Sequence, residues 1–294
     1  VSQFPRGGRG TYPYNDGSNL VAELFVNADE SGMHAKPTWV LVYGYIAGPE
    51  TWDAFGQDWN GILADPEYAI EVFHAIDFFQ GRKPFREWKA EKRNQFLGHL
   101  VEAINRHKLY PVGRGISYEA FMAQPTWFRR YLTGGRLRSE GIFVYTGAPN
   151  DAYHVALQEL MTDALARADE HAMVHFIMGQ QDRVEGYAVG HLNRIRTIME
   201  AEGDSRARQL GSIAYSTGTI TKGLQAAALW NYLCQSKLMR GSLTGRAEWA
   251  LKALAEQVDH DVKLWDRGTF ATAYDEVLRR LPAGALERLE KENS

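Results

Sequence analysis

The stretch "LFVNADESGMHAKPTWVLVYGYIAG", residues 24 to 48, decides how the chain reads. Its first part is apolar until Asp29 and Glu30, two adjacent carboxylates followed by Ser31 and Gly32. Its last part, Trp39 to Ile46, is rich in β-branched and aromatic residues, the composition of a strand that packs on a pleated surface. The polar link between the two parts is short, so an antiparallel hairpin is expected, with strands at about 20–28 and 36–48. A half-buried strand that ends in paired acids poses the question of what the acids are for.

Outward from the hairpin the apolar spacing changes. Trp52, Phe55, Trp59, Ile62 and Leu63 recur at helical intervals behind Pro49, a residue suited to a first helical turn. "AIEVFHAIDFF", residues 69–79, reads as a third strand, and residues 86–107 as a long helix. "LYPVGRGISYEAFM", residues 109–122, reads as one strand or two short ones. The basic, aromatic segment that follows it reads as an insertion. A helix capped by Asn150 or Asp151 comes next, then the buried strand "AMVHFIMGQQD" ending at Asp182. A helix at about 185–200, a strand "GSIAYST" and a helix "KGLQAAALWNYLCQS" continue the alternation. A long helix at about 245–265 and a polar helical tail close the chain. Strands alternating with helices after an opening hairpin predict an α/β fold, a mixed sheet with helices on both faces. The expected organisation is a loose N-terminal arm at 1–19, a main domain at 20–240 with an insertion at about 111–150, and a C-terminal helical extension at 241–294. Those last helices either pair chains into a homo-oligomer or cover the sheet.

Composition removes several classes. Hydrophobic residues at 45% and charged ones at 23% are ordinary for a packed domain. A net charge of −3 excludes a polycation that coats nucleic acid without selectivity, so any such contact must come from local patches. The single cysteine, Cys234, excludes a disulfide framework and lies in a helical apolar pattern, which predicts a packed thiol. No apolar run approaches a membrane span, and the first 19 residues lack the apolar core of a signal peptide. These features predict a cytoplasmic protein with no membrane partner.

Acids and histidines fall at three expected strand ends: Asp29 with Glu30, His74 with Asp77, and Asp182. In an open α/β sheet the crevice at strand ends is the usual ligand site. Carboxylates gathered there repel one another unless protons or cations neutralise them, and Mg²⁺ or Mn²⁺ prefers such oxygen donors. Two such ions activate water against a phosphodiester. The plainer reading is that these residues cap turns or are solvated ends of strands. Two segments mix cations with aromatics, as single-stranded nucleic acid would require. One is "GRKPFREWKAEKR" (81–93), with Lys83 and Arg86; the other is "WFRRYLTGGRLR" (127–138), with Arg129, Arg130, Arg136 and Arg138. Solvated helix faces carry the same cations, and the aromatics equally suit a core.

The blocks "FVNADESG", "WVLVYGYIAGPETWDAFGQDWN", "FHAIDFF" and "GLQAAALWNY" together resemble the DUF3800 family across most of residues 20–235. That resemblance implies an RNase H-like fold and a metal-dependent nuclease, with Mg²⁺ or Mn²⁺ in a two-metal site and RNA or DNA as partner. It implies roles for Asp29, Glu30 and Asp182 as catalytic acids, with His74 and Asp77 as further ligands. In the family a late helix carries Gln-x-x-Asp. Here that motif is Gln225-Ala226-Ala227-Ala228, so Gln225 is kept and Ala228 stands where the family has an acid. Three readings of Ala228 stay open: an engineered inactivating substitution, a natural loss, or a shifted alignment in which Asp182 and Glu185 supply the late acids. The rival functions are a catalytically dead module of the same fold that binds nucleic acid or a protein, and an enzyme acting on a small phosphorylated compound.

Overall fold

The computed structural model describes residues 22–32, 37–137, 143–144, 150–180, 185–256 and 263–293. The opening stretch forms two strands, β1 (Glu23–Ser31) and β2 (Trp39–Ala47). They pair antiparallel, with Asp29 opposite Tyr43 and Glu30 opposite Val42. The pairing is close at Gly44: a Cβ added there would stand 2.6 Å from the Cβ of Ala28. Side chains alternate across a strand. Val26 and Ala28 enter one buried cluster, while the partners of Asn27 and Asp29, Tyr45 and Tyr43, enter the other.

Next come α1 (Pro49–Ala64), α2 (Ala75–Gln80) and α3 (Ala90–Arg106), then β3 (Tyr110–Ser117), α4 (Tyr118–Met122) and α5 (Thr126–Leu132). A two-stranded ribbon joins β4 (Arg136–Leu137) to β5 (Phe143–Val144). The rest are α6 (Ala152–Arg167), β6 (Met173–Gly179), α7 (Glu185–Ala201), β7 (Leu210–Ser216), α8 (Lys222–Arg240), α9 (Gly245–Ala255), β8 (Leu264–Trp265), α10 (Arg267–Leu278) and α11 (Ala285–Asn293). The sheet runs β7-β6-β1-β2-β3-β8. The run β1-β2-β3 is an antiparallel meander, β6 and β7 lie parallel to β1 and to each other, and β8 lies parallel to β3. The expected α/β class with a mixed sheet is therefore correct.

Each face is covered for a reason legible in its helices. On one side α6, capped by the Asp151 side chain on the Tyr153 amide, is buried along most of its length. Its buried residues include His154, Glu159, Thr162 and Asp163 beside the apolar ones, so the helix is interior on most of its sides. On the other side α8 lies against β1 and β2, α1 packs on α8 and on β1, and α3 packs on α1. Cys234 on α8 is fully buried, as its apolar pattern predicts. Among the described residues no helix is long and apolar enough to cross a membrane.

Two expectations need correction, and one left open is resolved. Residues 69–74 join no sheet, and Ala75–Gln80 is helical, so "AIEVFHAIDFF" is not a strand. Its apolar residues go instead to an aromatic cluster between helices. Phe73, Phe78, Phe85 and Phe96 sit there with ring centroids 5.1 to 6.2 Å apart. Second, residues 110–117 are the single strand β3, hydrogen-bonded along β2, which decides between the one strand and the two short ones expected at 109–122. Third, the single helix expected at 245–265 ends at Ala255, and Leu264 and Trp265 form β8. Residues 257–262, the N-terminal arm and Asp182 lie outside the described residues.

Among the described residues β8 pairs with β3 at Gly115 and Ile116, and a charged group lies beside that pairing. Asp163 of α6 accepts from the Gly113 amide at 3.2 Å and from Lys263 Nζ at 2.6 Å. Arg114 pairs with Glu159 at 3.2 Å.

Candidate active site

Parallel β1, β6 and β7 present their C-terminal ends at one edge of the sheet. Asp29 and Glu30 occupy the end of β1 and, as neighbours in a strand, start toward opposite faces. Their carboxylates nevertheless converge at the end of β6. A Cβ added at Gly179 would stand 2.6 Å from Asp29 Oδ1 and 3.9 Å from Glu30 Oε2. Any other residue at 179 would fill the space between them, so glycine keeps it open.

The two acids have different surroundings. Asp29 retains a partial opening to solvent, yet burial pushes its carboxyl from 3.8 up to about 6, against the pull of the Glu30 amide, which donates to it. Removal of water penalises the charged form, which is the sense of this shift. Glu30 is only 8% exposed and lies toward Tyr153 of α6. Burial, and then the Glu30 charge, push the Tyr153 phenol above its ordinary range, with Tyr215 of β7 beside it.

Helix α8 fixes the end of β1. Asn231 Nδ2 donates to the carbonyls of Asp29 (3.0 Å) and Tyr43 (2.9 Å), straddling the β1–β2 pair. One turn on, Ser31 Oγ donates to Gln235 Oε1. At the other end of the helix Gly223 touches Asn27, where an added Cβ would stand 2.6 Å from Asn27 Cγ. Ala228 is half-buried and lies three residues before Asn231 and seven before Gln235, on the stripe that faces β1. Its methyl group brings no charge to that stripe.

The remaining expected site residues are placed as follows. Gln225 is 2% exposed and ties three segments together. Its Oε1 accepts from Trp59 Nε1 and from the Phe73 amide, both at 2.9 Å, and its Nε2 donates to the Gly218 carbonyl at 2.6 Å. His74 is the exposed N-cap of α2, and Asp77 pairs with Arg82 at 3.7 Å. Lys83 and Arg86 are exposed. Arg129 reaches Met122 Sδ and Thr126 Oγ1 and lies over the Phe121 ring, its guanidinium held below its usual value by burial. Arg130 follows it on α5, Arg136 contributes backbone to β4, and Arg138 lies outside the described residues. The aromatics of these two basic segments turn inward: Trp127 and Phe128 are buried, and Trp88 packs on Phe85 and Phe96. They are core, which removes the stacking platform those segments were expected to offer.

Sequence reasoning missed Gly179, Asn231 and Tyr153. The spacing of Asn27 and Asp29, two apart and so on one face, was the signal for an α8-facing polar stripe. Among the described residues no group of three or more His, Cys, Asp or Glu stands close enough to hold a metal ion. Compared with family models, with curated proteins and with solved structures, the chain has no match in any of the three.

Proposed function

We propose that the chain hydrolyses phosphodiester bonds of nucleic acid with the help of a divalent cation, on an RNase H-like sheet. The observation that carries the proposal is the convergence of Asp29 and Glu30 on the open space at Gly179, at the ends of β1 and β6. The strand order supports the fold reading: an antiparallel meander of three strands, extended beside its first strand by two parallel ones. The donor set fits Mg²⁺ or Mn²⁺, since both groups are hard oxygens and the Asp29 carboxyl is short of water. Two carboxylates suit one cation better than two. A further acid at position 228 of α8 would complete a pair; Asp182, the other acid expected from the sequence, lies outside the described residues. Such ions, when bound, supply an activated water and neutralise charge on the phosphate. Within the chain, Asp29 and Glu30 would hold the cation, Asn231 fixes the Asp29 backbone, and Gly179 leaves room for the ligand.

The test is a cleavage panel. The chain and its Ala228→Asp variant are incubated with labelled single- and double-stranded RNA and DNA in Mg²⁺, Mn²⁺ or EDTA. Metal-dependent cutting by Ala228→Asp, abolished by a further Asp29→Ala, supports the proposal. No cutting by either chain on any substrate sinks it. Ala228 itself favours a second reading, the same fold binding nucleic acid without cutting it; binding without cleavage in the panel would establish that one.

A further inference from the structure

A second site lies on the same helix. Asn231 and Gln235 of α8 turn toward β1, while Tyr232, Ser236 and Arg240 line an open cleft of about 680 Å³ on another face. The opposite walls are Phe79 of α2, Arg93 of α3 and the first turn of α9, which brings Arg246.

The charge in this cleft is of one sign. Arg240 and Arg246 make no ion pair among the described residues. Arg93 donates to backbone carbonyls of Phe85 and Arg86 and makes no ion pair among the described residues. Burial, and then the nearby Arg93, hold the Arg246 guanidinium below its usual value, as expected of cations crowded together without an anion. Glu248, the acid in the same turn of α9, is engaged by Lys252 at 2.9 Å. The first amides of α9 also lack a side-chain cap, because Thr244 makes none. Beside the arginines, the Phe79 and Tyr232 rings stack at 4.7 Å and 6°, both half-buried and both lining the cleft.

Guanidinium groups match phosphate oxygens in a planar fork, and aromatic faces accept any base. We infer that this cleft binds single-stranded nucleic acid, Arg93, Arg240 and Arg246 taking backbone phosphates and the Phe79–Tyr232 pair taking a base. The choice of nucleic acid over another phosphorylated compound rests on the proposed function; the arginine cluster does not.

Fluorescence anisotropy in EDTA at low salt tests this, with a labelled single-stranded oligonucleotide of about twelve nucleotides as probe. Inorganic phosphate and adenosine monophosphate serve as competitors. Arg240 is exposed and Arg246 half-buried, so Arg240→Glu and Arg246→Glu keep the fold, checked by circular dichroism. Each reversal is expected to weaken oligonucleotide binding about tenfold and to lower the salt slope by about one. Tyr232→Leu is expected to weaken it by about tenfold with the salt slope unchanged. Failure of the oligonucleotide to bind, or binding that neither reversal alters, overturns the site. Phosphate or the mononucleotide binding as tightly as the oligonucleotide overturns the assignment to nucleic acid. Because EDTA removes any cation, binding is read apart from cleavage, and a chain that never cuts can still pass or fail here.

Discussion

Asp29 links stability to pH. Its carboxyl titrates at about 6 in the folded chain, against 3.8 for an ordinary aspartate. Between those values the folded chain holds a proton that the unfolded chain has released, so stability falls as pH rises through the window. At 1.36 kcal/mol per unit the loss is about 3 kcal/mol, complete once pH exceeds the folded value. Buried His154, its imidazole lowered to about 4, contributes the opposite slope over much of the same range. The Asp29 contribution is therefore read from urea unfolding at stepped pH as the difference between parent and Asp29→Asn. That difference should fall through the window and leave Asp29→Asn the more stable at neutral pH. A difference between parent and Asp29→Asn that holds level across the window contradicts the desolvation of Asp29. A cation at the same carboxylate competes with the proton. Millimolar Mn²⁺ should therefore raise the Tm more at neutral pH than in acid, and not at all in Asp29→Asn. Gly179→Ala, with its new Cβ 2.6 Å from Asp29 Oδ1, should abolish the Mn²⁺ response while the chain stays folded. The two acids were visible in the sequence because charge interrupts an apolar run. Gly179 was not, since its role exists only once β6 lies beside β1.

At the scale of elements, α8 does more than cover the sheet. Asn231 satisfies carbonyls on two adjacent strands, and Gln225 satisfies α1, the 69–74 segment and the loop before α8. A buried polar group left without its partner costs about 1–3 kcal/mol. Asn231→Leu should then lose about 2 kcal/mol. Gln225→Leu, which strands two donors and an acceptor, should lose more, about 3 kcal/mol or above. Chemical denaturation compares the two, and equal small losses would show that water replaces the amides. The apolar period of α8 was plain in the sequence, and it placed Gln225 and Ala228 within one helix. What Gln225 touches was not plain, because its partners at Trp59, Phe73 and Gly218 come from three other segments. The same limit explains "AIEVFHAIDFF". Aromatic residues favour strands and helix-to-helix clusters alike, and only the packing of Phe73 and Phe78 against α3 decides between them.

For the whole molecule, the C-terminal residues complete the sheet. β8 covers β3, Lys263 meets Asp163, and Phe270 of α10 enters the core cluster. An open sheet edge invites pairing with another chain. Asp163→Ala would unpair the Gly113 amide and Lys263, and should lose about 3 kcal/mol of stability. Light scattering should show association during partial unfolding. A variant that stays monomeric and as stable as its parent would show that the edge needs no seal. Cys234 has a practical consequence. Burial drives its thiol above the ordinary range, and the side chain is shielded completely inside α8. With no second cysteine in the chain, any alkylating reagent reports one event, the lifting of α8 from the sheet. The labelling rate is thus a clock for the helix that braces the first proposed site through Asn231 and lines the second. A ligand seated at either site should slow that clock.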